Sequence, residues 1–145
     1  MTSGSTRIWI GGAIIVLWIL SLIVPAAGWG HRSPITINPG IFLLLWGWLE
    51  IFSLQFGWFA NVSFFWSMPL TLGRRWRSKS QLLFACFAIL LPALQTLWWH
   101  EIHTDLGASP VTVGPGYYLW LTALFAQATW LLVRAMLCHE ERPYL

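Results

Sequence analysis

Residues 8–27 read IWIGGAIIVLWILSLIVPAA, an unbroken stretch without a charge. A helix of about 20 such residues, rising about 1.5 Å each, crosses the roughly 30 Å hydrocarbon layer of a bilayer. The rest of the chain has the same character. Of its 145 residues 57% are hydrophobic and only 9% charged, against roughly 25% charged in soluble domains. Twelve Trp and nine Phe would overfill a soluble core, whereas near a bilayer a ring can place its apolar body in lipid and its polar edge among headgroups. The expectation is an all-α integral membrane protein, a single transmembrane domain over residues 1–145 whose first partner is the lipid bilayer.

The segment 8–27 is preceded by Arg7, and Val24 and Ala26 have the small-residue spacing of a signal-peptide cleavage site. Its use in an internal repeat, described below, favours a retained span. The next apolar stretch begins after Pro39 and Gly40 and runs to about Pro69, too long for one perpendicular crossing. The expected division is a span over 40–60 and an interfacial segment over 61–72 carrying Phe64, Phe65, Trp66 and Pro69; one long tilted helix is the competing reading. Two further spans are expected at 82–99, kinked by Pro92, and at 117–137.

Under this four-span scheme Arg7, Arg74, Arg75, Arg77, Lys79, Arg134 and Arg142 share one side and Arg32 alone is on the other. The positive-inside rule then places both termini in the cytoplasm, in a bacterial-type inner (plasma) membrane. The net charge of +3 reflects helix-end residues that set topology, and no groove or stripe for nucleic acid is indicated. Arg74, Arg75, Arg77 and Lys79 are expected to meet anionic headgroups, each adding about 1 kcal/mol of unspecific attraction. Cys86 and Cys138 form no CxxC pair and signal neither a disulfide framework nor a redox site.

Residues 33–45, SPITINPGIFLLL, align with residues 109–121, SPVTVGPGYYLWL, with seven of thirteen positions identical. A weaker likeness joins Ile23-Val24-Pro25 to Leu90-Leu91-Pro92 and the Trp-x-His at 29–31 to that at 98–100. The expected design is two helical hairpins of one kind, over about 8–72 and 80–138, related by a pseudo-two-fold axis along the membrane normal. In each copy the alternating Ile-Thr-Ile or Val-Thr-Val is extended, and Pro followed by Gly opens a helix where the missing N–H costs nothing.

Glu50 lies ten residues into the expected 40–60 span and so near its midplane, where an ionisable group costs at least about 2.5 kcal/mol. Glu50, Ser53, Gly57 and Asn61 follow helical spacing, and Gln95 and Gln127 from the later spans are within expected reach. These residues are read as a buried polar cluster that locks the bundle, or as a transport site if Glu50 handles a proton or cation. The repeat does not copy Glu50, whose counterpart is Ala126. Gly47 and Gly57 are expected at close helix contacts.

His31, His100, Glu101 and His103 fall on the expected outer side. On a helix His100 and His103 would share a face and could hold a metal ion with Glu101 or His31, although solvated loop histidines are commoner and HExH lacks one residue of the zinc-hydrolase motif. Cys138-His139-Glu140-Glu141 is read as a solvated tail, and the sequon at Asn61 is disregarded as lying on the cytoplasmic side.

No paired carboxylates within a span, no Ser-His-Asp set and no phosphate loop are present, so a catalytic role is disfavoured. No cofactor is identified. The leading expectation is a non-catalytic multi-pass subunit or accessory protein, of which an immunity-type protein would be one example, packing as a homo-oligomer or against a larger membrane partner. A small oligomeric transporter or channel using Glu50, and an outward-facing metal-binding protein, are the alternatives.

Overall fold

The computed structural model describes residues 4–29, 37–73, 78–99, 101–104 and 107–137. The chain is mostly helical. Three helices are long and apolar enough to cross a membrane: α1 (Gly4–Ile23), the Lys79–Trp98 rod made of α4 (Lys79–Gln95) and a short 3-10 turn (Thr96–Trp98), and α5 (Pro115–Leu137). Their surfaces carry exposed Trp9, Phe84, Phe87, Leu91 and Met136, which suits hydrocarbon as the surrounding solvent.

The stretch from Gly40 to Leu72 divides in the opposite sense from the expected one. Residues 40–60 are not one helix. α2 covers only Gly40–Trp46, a 3-10 segment follows over Gly47–Ser53, and a turn at Leu54, the one non-glycine residue with positive φ among those described (58°), leads into α3 (Phe59–Leu72). The expected interfacial segment 61–72 is thus most of a helix packed against α4, α5 and α1. The stripe Asn61, Phe64, Ser67 and Thr71 explains this: it recurs at helical spacing and is buried, with Phe64, Ser67 and Thr71 at 0% exposure. By contrast Leu45, Trp46, Phe52 and Leu54 of the 40–58 arm are exposed.

Direction follows from the helix ends. At one end Arg7 near the start of α1 and Arg134 near the end of α5 both donate to Gly73 O just past α3. α1 and α4 therefore run away from that end and α3 and α5 run towards it, so residues 4 and 137 lie at the same end. The core between them holds Ile14, Trp18, Phe64, Ile89, Leu124 and Leu131. α3 has 14 residues, about 21 Å at the helical rise, shorter than the hydrocarbon layer by itself.

At the far end lies a small sheet absent from the all-α expectation. β1 (Pro25–Trp29), β2 (Ile37–Pro39), β3 (Glu101–Thr104) and β4 (Gly107–Val113) are ordered β2-β1-β4-β3, with all neighbours antiparallel. β1 bridges the two similar loops: Gly28 faces Ile37 on one side and Thr112 on the other. Pro25 ends α1, and the small Ala26 and Ala27 let both neighbours approach. A two-fold axis would join like strands at the centre of the sheet. Instead the first strand of one hairpin meets the second strand of the other, a tandem arrangement.

The two Pro-Gly sequences begin their helices against the same backbone. Gly40 meets the Ser21 carbonyl and Gly116 the carbonyls of Val24 and Pro25, so no Cβ fits at either position. Gly114 N donates to Ala26 O at 2.7 Å and Gly40 N to Val24 O at 3.3 Å, tying the starts of α5 and α2 to the α1–β1 junction.

Candidate functional site: an aromatic cavity at the sheet end

The 40–58 arm leaves the sheet end and returns to it. Gly40 rests on Ser21, the Trp58 indole donates to Leu44 O at 2.8 Å, and Gly47 abuts Trp58, where a Cβ would lie 2.9 Å from Cδ1. Further along, Gln95 at the end of α4 clasps the turn from both sides. Its Oε1 accepts from Phe56 N at 2.7 Å, and its Nε2 donates to Leu54 O at 2.8 Å. Gly57 then sits against Thr96, so closely that a side chain there would collide with the threonine methyl.

Beneath the arm, Asn61 joins four elements. Its Oδ1 accepts from Trp18 Nε1 of α1 at 3.1 Å and from Trp120 Nε1 of α5 at 2.8 Å, while its Nδ2 donates to Trp58 O at 3.2 Å. Tyr117 at the start of α5 donates its hydroxyl to the Thr96 carbonyl at 2.9 Å, holding α5 to the end of α4. In a lipid environment these side-chain bonds replace the water that a soluble protein would use.

Between arm, bundle and sheet is a cavity of about 500 Å³, within the range of small-molecule sites, roughly 300–1,000 Å³. Its walls are large rings set among residues that lack bulk. Trp29, Trp46, Trp58, Trp99, Trp120 and Tyr117 supply faces and edges, and Gly40, Gly47, Gly57 and Gly116 withhold the side chains that would fill the space. Ring pairs brace the wall, with centroids 6.0 Å apart for Trp29–Phe42 and 6.1 Å for Tyr117–Trp120. Among the described residues, none that lines it is Asp, Glu, Lys, Arg or His. Trp99 Nε1 is buried and has no hydrogen-bond partner among the described residues.

The polar residues singled out from sequence are separated. Asn61 is on the cavity wall, Gln95 holds the turn, and Gln127 lies deeper, donating to Phe64 O at 3.1 Å and Ser67 Oγ at 2.6 Å. Glu50 and Ser53 are in the 3-10 segment of the arm, whose flanks at Gly47 and Leu54 are both fastened at the sheet end. The single helix over 40–60 on which the expected midplane place of Glu50 rests is not formed. Gly47 and Gly57 make close contacts within the chain, to Trp58 and Thr96.

Glu101 and His103 belong to strand β3, so the helical spacing that would align His103 with His100 does not hold there. His31 and His100 lie outside the described residues, as do Arg74, Arg75, Arg77 and the Cys138–Glu141 tail; Lys79 is exposed in the first turn of α4. Among the described residues no three metal-ligating side chains come together.

Sequence reasoning passed over Trp18, Trp99, Trp120, Tyr117 and Thr96. Their one signal was Trp and Thr inside apolar stretches, where an indole N–H or hydroxyl needs a partner. No family model, curated protein or solved structure matches the chain.

Proposed function

We propose that this is a non-catalytic multi-pass membrane protein that holds an apolar guest in its aromatic cavity, as an accessory protein or subunit within the bilayer. The observation that carries this reading is the cavity itself, about 500 Å³ and lined among the described residues by rings and small residues. Such an aromatic wall suits an apolar group taken from lipid. In the proposed topology α3 and the turn before it complete a fourth crossing, both termini face the cytoplasm, and the sheet covers the outer mouth.

The two alternatives have less support. Proton or cation passage through Glu50 draws on an expected midplane position, whereas the arm bearing Glu50 is fastened at the sheet end. Metal binding draws on a helical alignment of His100 and His103, whereas residues 101–104 are extended.

Gentle-detergent purification followed by native mass measurement tests the reading. The unmodified protein is expected to retain a small molecule at one per chain, and Leu43→Trp, which adds bulk to the cavity wall, is expected to lose it. Equal retention by both proteins, or none by either even after addition of extracted membrane lipids, would overturn the reading.

A further inference from the structure

Two features of the 40–58 arm are those of a segment that has a second conformation. Its 3-10 stretch runs for seven residues, Gly47–Ser53; such runs seldom exceed three or four, because their hydrogen bonds are poorer than those of an α-helix, and a longer one marks a hinge or strain. Leu54, next in the chain, has φ 58°, a left-handed conformation that crowds the Cβ of any residue that has one. A conformation of this kind persists only where its surroundings hold it. Here one side chain does so: the Gln95 amide accepts from Phe56 N and donates to Leu54 O, at 2.7 and 2.8 Å. The two bonds straddle the turn and are made or lost together.

The arm is also a wall one segment thick. Phe42, Leu43 and Leu49 line the cavity, whereas Leu45, Trp48 and Leu54 do not line it and are exposed. Its two ends are seated on rigid backbone and helix, Gly40 through a hydrogen bond from its N–H to Val24 O and Gly57 against Thr96. Between those ends the 3-10 segment packs chiefly on α2, and the Trp58 indole ties α2 to the start of α3 through Leu44 O.

We propose that the arm is a side gate between the cavity and the bilayer, with Gln95 as its latch. Opening breaks both Gln95 bonds, returns Leu54 to the right-handed region and lets the 3-10 stretch relax to α-helix, so relief of strain offsets part of what the bonds contribute. The gate rests on the cavity-binding reading above, for which it supplies the route of a group entering from lipid.

The test uses spin labels at Trp48→Cys and Met136→Cys, on the arm and at the opposite end of α5, in a Cys86→Ala, Cys138→Ala background reconstituted in bilayer discs, with pulsed measurement of the distance between them. One distance should dominate. Gln95→Leu removes two neutral hydrogen bonds from the closed arm alone and is expected to raise the share of a second distance by about five- to a hundredfold; Trp58→Phe, which removes one, should raise it by about two- to tenfold. Leu54→Gly acts in the opposite direction, since glycine accepts positive φ without crowding, and should lower that share at least about fivefold, alone and in combination with Gln95→Leu. Replacement of the retained molecule by deuterium-labelled membrane lipids, followed by native mass measurement, should be faster in Gln95→Leu and slower in Leu54→Gly by the same factors, because exchange scales with the open population.

A single unchanged distance in folded Gln95→Leu or Trp58→Phe protein would overturn the gate, as would a second distance that Leu54→Gly does not suppress or lipid exchange at one rate in all variants. Lipid retained one per chain in those cases leaves the cavity-binding reading in place. Retention of nothing by any of the proteins, the unmodified one included, would remove that reading and the gate with it.

Discussion

Trp120 Nε1 and Trp18 Nε1 donate to one oxygen, Asn61 Oδ1, at 2.8 and 3.1 Å, so a single amide links α5 and α1 through α3. Substituting Asn61→Leu leaves two indole N–H groups without their acceptor. An unmet buried donor costs about 1–3 kcal/mol, so a loss of about 2 kcal/mol or more is expected in reversible unfolding in mixed micelles. A loss below about 0.5 kcal/mol would show that the indoles find other partners.

Gln127 makes the contrasting case. It is fully buried, yet its Oε1 has no partner among the described residues, and Ser67 Oγ keeps a bond to Phe64 O at 3.0 Å without it. Gln127→Leu removes two donated bonds and one orphaned acceptor together. The same unfolding assay should register less than about 1 kcal/mol, near the mean of side-chain hydrogen bonds measured inside membranes.

At the opposite end Arg134 donates to the carbonyls of Leu70, Thr71 and Gly73, the last turn of α3 and the residue after it. These are oxygens that a helix cannot satisfy internally, at the end where its dipole favours a cation. Arg134→Met is expected to cost about 1–3 kcal/mol and to raise amide hydrogen exchange in the final turn of α3. Arg134→Lys should recover only part, because one ammonium cannot reproduce the planar fork.

The glycines sort by what stands opposite them. Gly116 faces the carbonyls of Val24 and Pro25, which belong to rigid backbone, whereas at Gly12 an added methyl group would meet nothing within 4 Å. Gly116→Ala is therefore expected to destabilise by about 1–3 kcal/mol. Gly12→Ala should be neutral or stabilising by up to about 1 kcal/mol, since alanine is the better helix former. Thermal unfolding of the two variants side by side checks the order.

Much of this was legible in the residues. Apolar stretches near 8–27, 82–99 and 117–137 correspond to helices long enough to cross a membrane, because length and lack of charge are local properties. The division of residues 40–72 was not legible, for a physical reason: lipid is as apolar as a protein core, so the exposed Phe52 of the arm and the buried Phe64 of α3 look alike in sequence. The sheet depended on pairing Ala27 with Val113, 86 positions away, which no local pattern announces. Asn61 stands out for its polarity, but the indoles that meet it, and the space beside Trp99, arise only from packing.

The arm walls the cavity, and the proposed reading has its fastening at Gly47 and Leu54 keep residue 50 near the sheet end, so the depth of that residue is the most direct measurement. Spin labels at Glu50→Cys, Leu97→Cys and Phe87→Cys in a reconstituted bilayer report depth by collision with oxygen and with a water-soluble nickel chelate. Leu97 marks the sheet end, and Phe87 the middle of the Lys79–Trp98 rod. The account predicts that the label at 50 matches the one at 97; a label at 50 as deep as the one at 87 would contradict it.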